Sequence, residues 1–311
     1  MNAPKMTDSD TTGLIFDIKR YAINDGPGIR IVIFLKGCNL SCSWCHNPEG
    51  ISPKQERMYS QSKCIKCGTC VISCPTKALT LTPEGIETDP VLCDLSGQCA
   101  LVCPTKAIEI SGKIMSVREI MHEIDKERIF FDQSGGGVTF SGGEPMMHPG
   151  ILIPLLEACG RQGIHRAVDT GGFIQAEIML KVAKHTDLFL FDLKMMDSAK
   201  HRQWTGVPNQ TILENLRILA ETGARIIIRI PLIGEVNDDQ KNLVDSASFV
   251  ASLPGDKKEV NLLVYHKTAL SKFGKLGREA EFRLFKEPSL ETQLRALSIF
   301  QKHGIKAKIG G

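Results

Sequence analysis

The sequence predicts an α/β fold: six strand–helix units forming a barrel-like core, with a small cysteine-rich module inserted near the beginning. Two observations carry this. Apolar runs of strand length, such as Ile29 to Leu35 and Arg225 to Ile230, alternate with amphipathic stretches of helix length, the rhythm of strands that lie side by side in parallel. Ten of the eleven cysteines fall between Cys38 and Cys103, mostly within residues 56–112, where that rhythm stops.

The 311 residues suffice for a barrel-sized domain split by an insert, with boundaries at 1–55, 56–112 and 113–311. Apolar residues at 42% and charged residues at 23% describe an ordinary globular chain. Thirty-eight basic against 35 acidic residues give a net charge of +3, interspersed along the chain, so nucleic acid is not an implied partner. No apolar stretch reaches the length of a membrane span, and Met1 to Thr12 is polar, without the core of a signal peptide. No membrane partner and a cytoplasmic location are therefore expected, and the clustered cysteines point to metal ligation rather than disulfides. Cys159 stands apart in a helical pattern and reads as a small core residue.

In order, Gly13 to Arg20 reads as a short strand, Asp25-Gly26-Pro27-Gly28 as a turn, and Ile29 to Leu35 as a buried strand. That strand runs into Gly37-Cys38-Asn39-Leu40-Ser41-Cys42-Ser43-Trp44-Cys45-His46-Asn47-Pro48. Thiols on a loop at a strand's carboxyl end sit where α/β sheets carry their chemistry. Cys38, Cys42 and Cys45 offer three thiolates with no fourth nearby, so a four-iron cluster held there has one iron open to a ligand. A zinc ribbon usually pairs two C-x2-C knuckles and would leave one of these thiols without a role.

Cys64-x2-Cys67-x2-Cys70-x3-Cys74-Pro75 is a complete bacterial ferredoxin run, and Cys103-Pro104 closes a second copy. The module resembles a two-cluster ferredoxin, in which the fourth cysteine of each run holds the other cluster. This assigns Cys64, Cys67, Cys70 and Cys103 to one 4Fe-4S cluster, and Cys74, Cys93 and Cys99 to a second. Serine replaces the expected cysteine at Ser96, so the second site takes Ser96, Asp94, a water or nothing as its fourth ligand. It then holds a 3Fe-4S cluster or a labile four-iron one. The clusters either staple a module with little core of its own or relay electrons to the site at Cys38, Cys42 and Cys45.

Ser116 with Glu119 forms a capping-box pattern before an amphipathic helix to about Arg128. Val138 to Ser141 reads as a strand ending in Gly142-Gly143-Glu144-Pro145, followed by a helix from Ile151 to Arg161; the glycines leave backbone edges open to a close ligand. The strands Arg166 to Asp169 and Leu188 to Phe191 end in Asp169-Thr170-Gly171-Gly172 and Asp192-Leu193-Lys194, and two such carboxylates need a cation or hydrogen bonds. After a helix from Ile212 to Glu221, Arg229 interrupts an apolar strand and, if buried, needs an anionic partner. The strand Val260 to Val264 ends in Tyr265-His266, and a helix from Leu290 to His303 with a closing strand near Ile305 completes the pattern. The terminal Gly310-Gly311 reads as a frayed tail.

Taken with Asp25-Gly26-Pro27-Gly28-Ile29-Arg30 upstream and Cys45-His46-Asn47-Pro48 downstream, the cysteine loop resembles that of the radical S-adenosylmethionine (SAM) superfamily, and within it the activating enzymes of glycyl radical enzymes. The resemblance covers nearly the whole chain. It implies a partial, open (β/α)6 radical-SAM barrel with a ferredoxin-like insert. It also implies reductive cleavage of S-adenosylmethionine at the cluster of Cys38, Cys42 and Cys45. The products are methionine and a 5′-deoxyadenosyl radical, which takes a hydrogen from a backbone glycine of a partner enzyme. In that likeness Trp44 and His46 lie beside the cofactor, and Gly142, Gly143 and Glu144 hold its amino group. Lys194 and Arg229 hold its carboxylate, and His266 lies by the adenosyl group. Asp169, Thr170 and Asp192 hold a monovalent cation or order the cofactor end of the barrel, and Asp25 and Arg30 lie near the approach of the protein substrate. A structural ion pair for Arg229, a surface histidine at His266 and ordinary strand-end turns at Asp169 and Asp192 are the competing readings.

The same resemblance implies a monomer reduced by flavodoxin or ferredoxin. Its partner would be a lyase, dehydratase or decarboxylase, such as one acting on isethionate, choline, glycerol or 4-hydroxyphenylacetate. Two other functions compete. A radical enzyme acting on a small molecule would not need the Asp25 to Arg30 turn or the insert. An iron–sulfur electron carrier would leave Gly142-Gly143-Glu144 and the C-x3-C-x2-C loop unexplained.

Overall fold

The computed structural model describes residues 10–256 and 258–311, so most of the polar segment Met1 to Thr12 lies outside the described residues. The strands are β1 (Thr12–Ala22), β2 (Arg30–Leu35), β3 (Glu56–Tyr59), β4 (Leu79–Thr82), β5 (Gly85–Thr88), β6 (Ile108–Ser111) and β7 (Lys113–Ser116). They continue as β8 (Gly137–Gly142), β9 (His165–Thr170), β10 (Leu188–Asp192), β11 (Ile226–Leu232), β12 (Glu259–Val264) and β13 (Lys306–Ile309). Nine of them form one sheet in the order β13-β12-β11-β10-β9-β8-β2-β1-β7. Pairing is parallel from β2 through β8 and onward to β13, while β1 and β7 join antiparallel at the β2 edge. The edge strands β13 and β7 do not pair with each other, so the sheet is open.

Strand alternation decides which side chains meet. Successive residues point to opposite faces, and on β10 and β11 Phe189, Phe191, Ile226, Ile228, Ile230 and Leu232 join the main core. That core is completed by helices Pro149–Arg161, Gln210–Glu221, Gln240–Ala251 and Leu290–Lys302, each of which buries an apolar stripe. The opposite face carries Ala167 and Asp169 on β9, Leu188, Leu190 and Asp192 on β10, and Ile227 and Arg229 on β11. The parallel register sets Asp169 beside Leu190 and Asp192 beside Arg229. Two carboxylates and one guanidinium thus share one concave surface.

The capping box forms as expected: the Glu119 amide donates to Ser116 Oγ at 3.2 Å and the Ser116 amide to Glu119 Oε2 at 2.7 Å. The helix it starts, Val117–Asp125, stops short of Arg128, and a second helix, Arg128–Ser134, follows. Strand β7 was not legible in the sequence, because four residues directly before a helix cap show too little alternation. Cys159 is fully buried and donates to Met121 Sδ at 3.6 Å, the core role expected of it. Gly310 does not fray: its amide donates to Leu262 O at 2.9 Å. Among the described residues no helix is long and apolar enough to cross a membrane.

Between β2 and β7 the chain makes two small sheets, β3 with β6 and β4 with β5, around a core of Cys70, Leu79, Ile86 and Ile108. Its halves repeat at an offset of 29 positions, from Cys64 to Cys93. The repeat extends to backbone conformation. Lys66 and Leu95 (φ 57° and 56°), Gly68 and Gly97 (74° and 77°), and Lys77 and Lys106 (54° and 52°) are left-handed at matching places.

Candidate active site

A cavity of about 530 Å³ opens at the carboxyl ends of β2 and β8 to β12, within the size range of small-molecule sites. Cys38, Cys42 and Cys45 form part of its wall, and no other cysteine among the described residues lines it. The loop that carries them is tied down along its length. Gly37 N donates to Gly50 O (2.8 Å), Cys38 N to Ile51 O (2.9 Å), and Ser41 and Ser43 N to Thr205 and Trp204 O (both 2.9 Å). Trp44 is buried and meets Phe285 edge-on, at 6.2 Å between centroids. From the helix Leu270–Lys275, Lys272 Nζ reaches Glu49 (2.6 Å) and Asn47 Oδ1 (2.8 Å).

Burial pushes the Cys38 and Cys45 thiols up to about 12 and raises Cys42 too, the last opposed by the Lys194 ammonium. Such thiols stay protonated at neutral pH unless a metal displaces the proton. Three desolvated thiols lining one cavity fit an iron–sulfur group.

Gly142, which ends β8, and Gly143 line the cavity, and they also meet a packing requirement that the sequence did not show. A Cβ on Gly142 would lie 2.0 Å from Leu35 O, and one on Gly143 would lie 2.1 Å from Gly37 O. It is the neighbouring strand end and the cysteine loop that approach closely, so the missing side chains let β8 dock against that loop. The Gly143 amide donates to Leu35 O (2.9 Å) and the Glu144 amide to Gly37 O (2.8 Å).

Glu144 is 1% exposed and accepts from Met146 N (3.1 Å), Thr170 Oγ1 (2.9 Å) and Gly171 N (2.9 Å). Burial still pushes its carboxyl up to about 7, against those bonds. A cationic group entering the cavity would supply the charge partner it lacks.

Arg229 is held by three carboxylates. Its Nε meets Asp192 at 3.2 Å, Nη2 meets Asp169 at 2.8 Å, and Nη1 lies 3.8 Å from Asp25. Ser141 Oγ donates to Asp169 at 2.7 Å, and Lys194 Nζ pairs with Asp192 at 3.0 Å. Burial opposes the charge on Arg229 and Lys194, but the carboxylates outweigh it and both are raised overall. The geometry of Arg229 is that of an ion pair, whereas Lys194 uses one of its three donors on Asp192. Around the cavity, Asp17, Asp25, Glu144, Asp169 and Asp192 face Lys19, Lys194, Arg229 and Lys272. Both signs are presented, as a zwitterionic ligand requires.

Two expected positions lie elsewhere. Arg30 is fully buried, donating to Thr139 Oγ1 (2.7 Å), Pro27 O (3.0 Å) and Val138 O (2.5 Å); it pins the Asp25 to Arg30 turn to β8 and is not available to a partner. His266 does not line the cavity. Its side chain is 65% exposed, and its carbonyl contacts His46 Nε2 at 3.0 Å. Tyr265, the residue before it, faces inward, 2% exposed and stacked on His46 at 5.8 Å. Sequence reasoning missed Tyr265 and Lys272; nothing local marks Lys272, which meets Asn47 across 225 residues.

In the insert, Cys64, Cys67, Cys70 and Cys103 surround one small cavity, and Cys74, Cys93, Cys99, Asp94 and Ser96 surround another. Matching amides, Ala78 N to Cys74 Sγ (3.3 Å) and Ala107 N to Cys103 Sγ (3.2 Å), favour the thiolate forms.

Two family models match this chain: "Radical SAM superfamily" over residues 96–247 and "4Fe-4S dicluster domain" over residues 63–111. In fold the chain is similar to Streptococcus suis SuiB, solved bound to precursor peptide SuiA, at TM-score 0.54 and 12% identity over 90% of this chain and 48% of that one. The protein is a radical SAM enzyme with a dicluster module. Its curated relatives are narrower in kind. It is 41% identical over 299 residues to the trans-4-hydroxy-L-proline dehydratase activating enzyme of Clostridioides difficile, covering 96% of this chain and 99% of that one. It is 39% identical over 271 residues to the choline trimethylamine-lyase activating enzyme of Oleidesulfovibrio alaskensis, covering 86% and 87%. A solved domain of a pyruvate-formate lyase-activating enzyme from Bacteroides vulgatus is 45% identical at TM-score 0.50, over 57% of this chain and all of that one. The chain belongs to the activating enzymes of glycyl radical enzymes.

Proposed function

We propose that the cavity takes S-adenosylmethionine against a 4Fe-4S cluster held by Cys38, Cys42 and Cys45, and that the enzyme removes a hydrogen from a backbone glycine of a partner lyase, dehydratase or decarboxylase. The carrying observation is the joining, in one cavity, of three desolvated thiols with a buried carboxylate and both signs of charge. When bound, the reduced cluster supplies the electron that splits S-adenosylmethionine. The residues do the rest: Glu144 takes the amino group, Lys194 offers its free donors to the carboxylate, and Trp44, His46 and Tyr265 wall the site from solvent. Gly142 and Gly143 act by letting the cysteine loop seat against β8, and Arg229 by holding Asp169 and Asp192 in place. A monovalent cation at Asp169, Thr170 and Asp192 is the weaker reading, since Arg229 and Lys194 already neutralise these carboxylates and Thr170 donates to Glu144.

Residues 56–112 are read as a module interrupting the catalytic fold of 1–55 and 113–311, with the β3–β6 pair at its base. Cys64, Cys67, Cys70 and Cys103 hold one cluster; Cys74, Cys93 and Cys99 hold a second, as a 3Fe-4S form or with Ser96 on a labile fourth iron. We infer a cytoplasmic monomer reduced by flavodoxin or ferredoxin through this module. The test is anaerobic: reduced, reconstituted enzyme must release 5′-deoxyadenosine from S-adenosylmethionine and raise a glycyl radical signal in a co-purified partner. Cleavage without a radical on any glycyl radical enzyme would favour a small-molecule substrate instead.

Lys194→Ala tests the cofactor contact. One charge-assisted bond is worth about 1.5–3 kcal/mol, so affinity for S-adenosylmethionine should fall roughly ten- to a hundredfold. An unchanged dissociation constant by anaerobic calorimetry would leave Lys194 as the partner of Asp192 alone.

A further inference from the structure

The second cluster site of the insert has a neighbour that its repeat-mate lacks. Arg57 lines the cavity of Cys74, Cys93, Cys99 and Ser96, and its Nη1 is buried with no hydrogen-bond partner. At the 29-residue offset, Arg57 corresponds to Ile86, which lines the cavity of Cys64, Cys67, Cys70 and Cys103 and is 5% exposed. The strand pairs agree: Arg57 faces Ile110 across β3 and β6, and Ile86 faces Leu81 across β5 and β4. Backbone conformation also repeats around the serine, with Leu95 and Gly97 left-handed as Lys66 and Gly68 are around Cys67. The site that has lost a thiol has gained a guanidinium, which the other half of the repeat supplies.

A buried donor without a partner costs about 1–3 kcal/mol, more when charged. Arg57 is held over the Tyr59 ring, 5.5 Å from its centroid, and burial lowers its pKa, opposed most by the Cys99 and Cys93 side chains, which would bring the compensating charge once bound to iron. No carboxylate takes up its Nη1. We propose that Arg57 pairs with the iron–sulfur group of Cys74, Cys93 and Cys99 and sets its reduction potential above that of the all-cysteine group, making this the site where an electron rests within the insert. The proposal builds on the reading of these cysteines as a cluster site. On a four-iron group with a neutral fourth ligand, three thiolates in place of four remove one negative charge, and on either form the guanidinium offsets one. Adding one electron to the less negative group is easier, and no bond forms or breaks in the step. The electron comes from the low-potential donor, dithionite in the test.

The experiment is an anaerobic redox titration of the reconstituted holoenzyme, followed by paramagnetic resonance with iron and sulfide counts. In the wild type the second site should reduce before the all-cysteine site. Arg57→Ile, which copies Ile86, should weaken its reduction at least tenfold, about 59 mV for one electron, without moving the other two clusters. Ser96→Cys adds a thiolate and should shift the same midpoint in the same direction, which tests the charge argument even if Arg57→Ile fails to hold iron. Full iron content with an unmoved midpoint in Arg57→Ile overturns the role of Arg57 while leaving the cluster site standing. A wild-type iron count too low to fill a second insert site overturns the cluster reading and this proposal with it.

Discussion

Replacing Cys42 with alanine should abolish release of 5′-deoxyadenosine while the insert keeps its iron. Cys42 is the middle one of the three thiols that line the large cavity, and if these hold the four-iron cluster proposed above, the variant leaves two irons without a thiolate instead of one. The loop is fixed by its own hydrogen bonds to Gly50, Ile51, Trp204 and Thr205, so a lost Sγ leaves its backbone in place. The insert's cysteines surround separate cavities and depend on none of these contacts. Iron analysis should show the loss of one cluster's worth of iron, with product release at background. Turnover at the wild-type rate would remove Cys42 from the catalytic cluster. Loss of all iron would instead mean that insert and loop do not fold as separate units.

What the sequence made legible was what is written locally. The spacing of Cys38, Cys42 and Cys45, the two ferredoxin runs and the acid after Gly142-Gly143 are contiguous patterns. The structure brings each to a cavity at a strand end or within the insert. Arg229 was legible for a related reason, since a charge in an apolar strand must meet an opposite one, and alternation on β9 to β11 places Asp169 and Asp192 on the same face. What failed was inference about direction and distance. His266 and Tyr265 are adjacent, and only packing against Phe285 and His46 decides which one turns inward. Gly142 and Gly143 do line the cavity, but the sequence does not reveal that Leu35 and Gly37 lie so near that a side chain there would clash. Arg30, expected near the approach of a protein substrate, is satisfied by β8 residues more than 100 positions away.

Arg229→Met should destabilise the protein by about 3–5 kcal/mol near neutral pH, the usual cost of leaving buried charges without their partner. That is a large share of the roughly 5–15 kcal/mol that holds a domain folded. In the wild type the guanidinium bridges Asp169 and Asp192 and draws in Asp25; without it, Lys194 still pairs with Asp192 and Lys19 with Asp25 at 3.7 Å, and neither of these ion pairs reaches Asp169. Burial already raises Asp169 against the pull of Arg229, while Asp192 is held low, against burial, by Lys194 and Arg229. Removing Arg229 leaves only the Ser141 hydroxyl to oppose burial at Asp169, whose carboxyl rises further above its unfolded value, while Asp192 loses one of the two cations that hold it low. Between the unfolded and the folded value the native state then binds protons that the unfolded chain does not, so the variant gains stability as pH falls. The deficit relative to wild type should therefore be largest at pH 8 and shrink towards pH 6 in anaerobic urea titrations of the holoenzyme. Adding Asp169→Asn to Arg229→Met should recover part of the loss, because it removes one of the stranded charges. A deficit that does not change with pH, and that Asp169→Asn does not relieve, would mean that Arg229 acts through its packing, and that these strand-end carboxylates are held by something other than its charge.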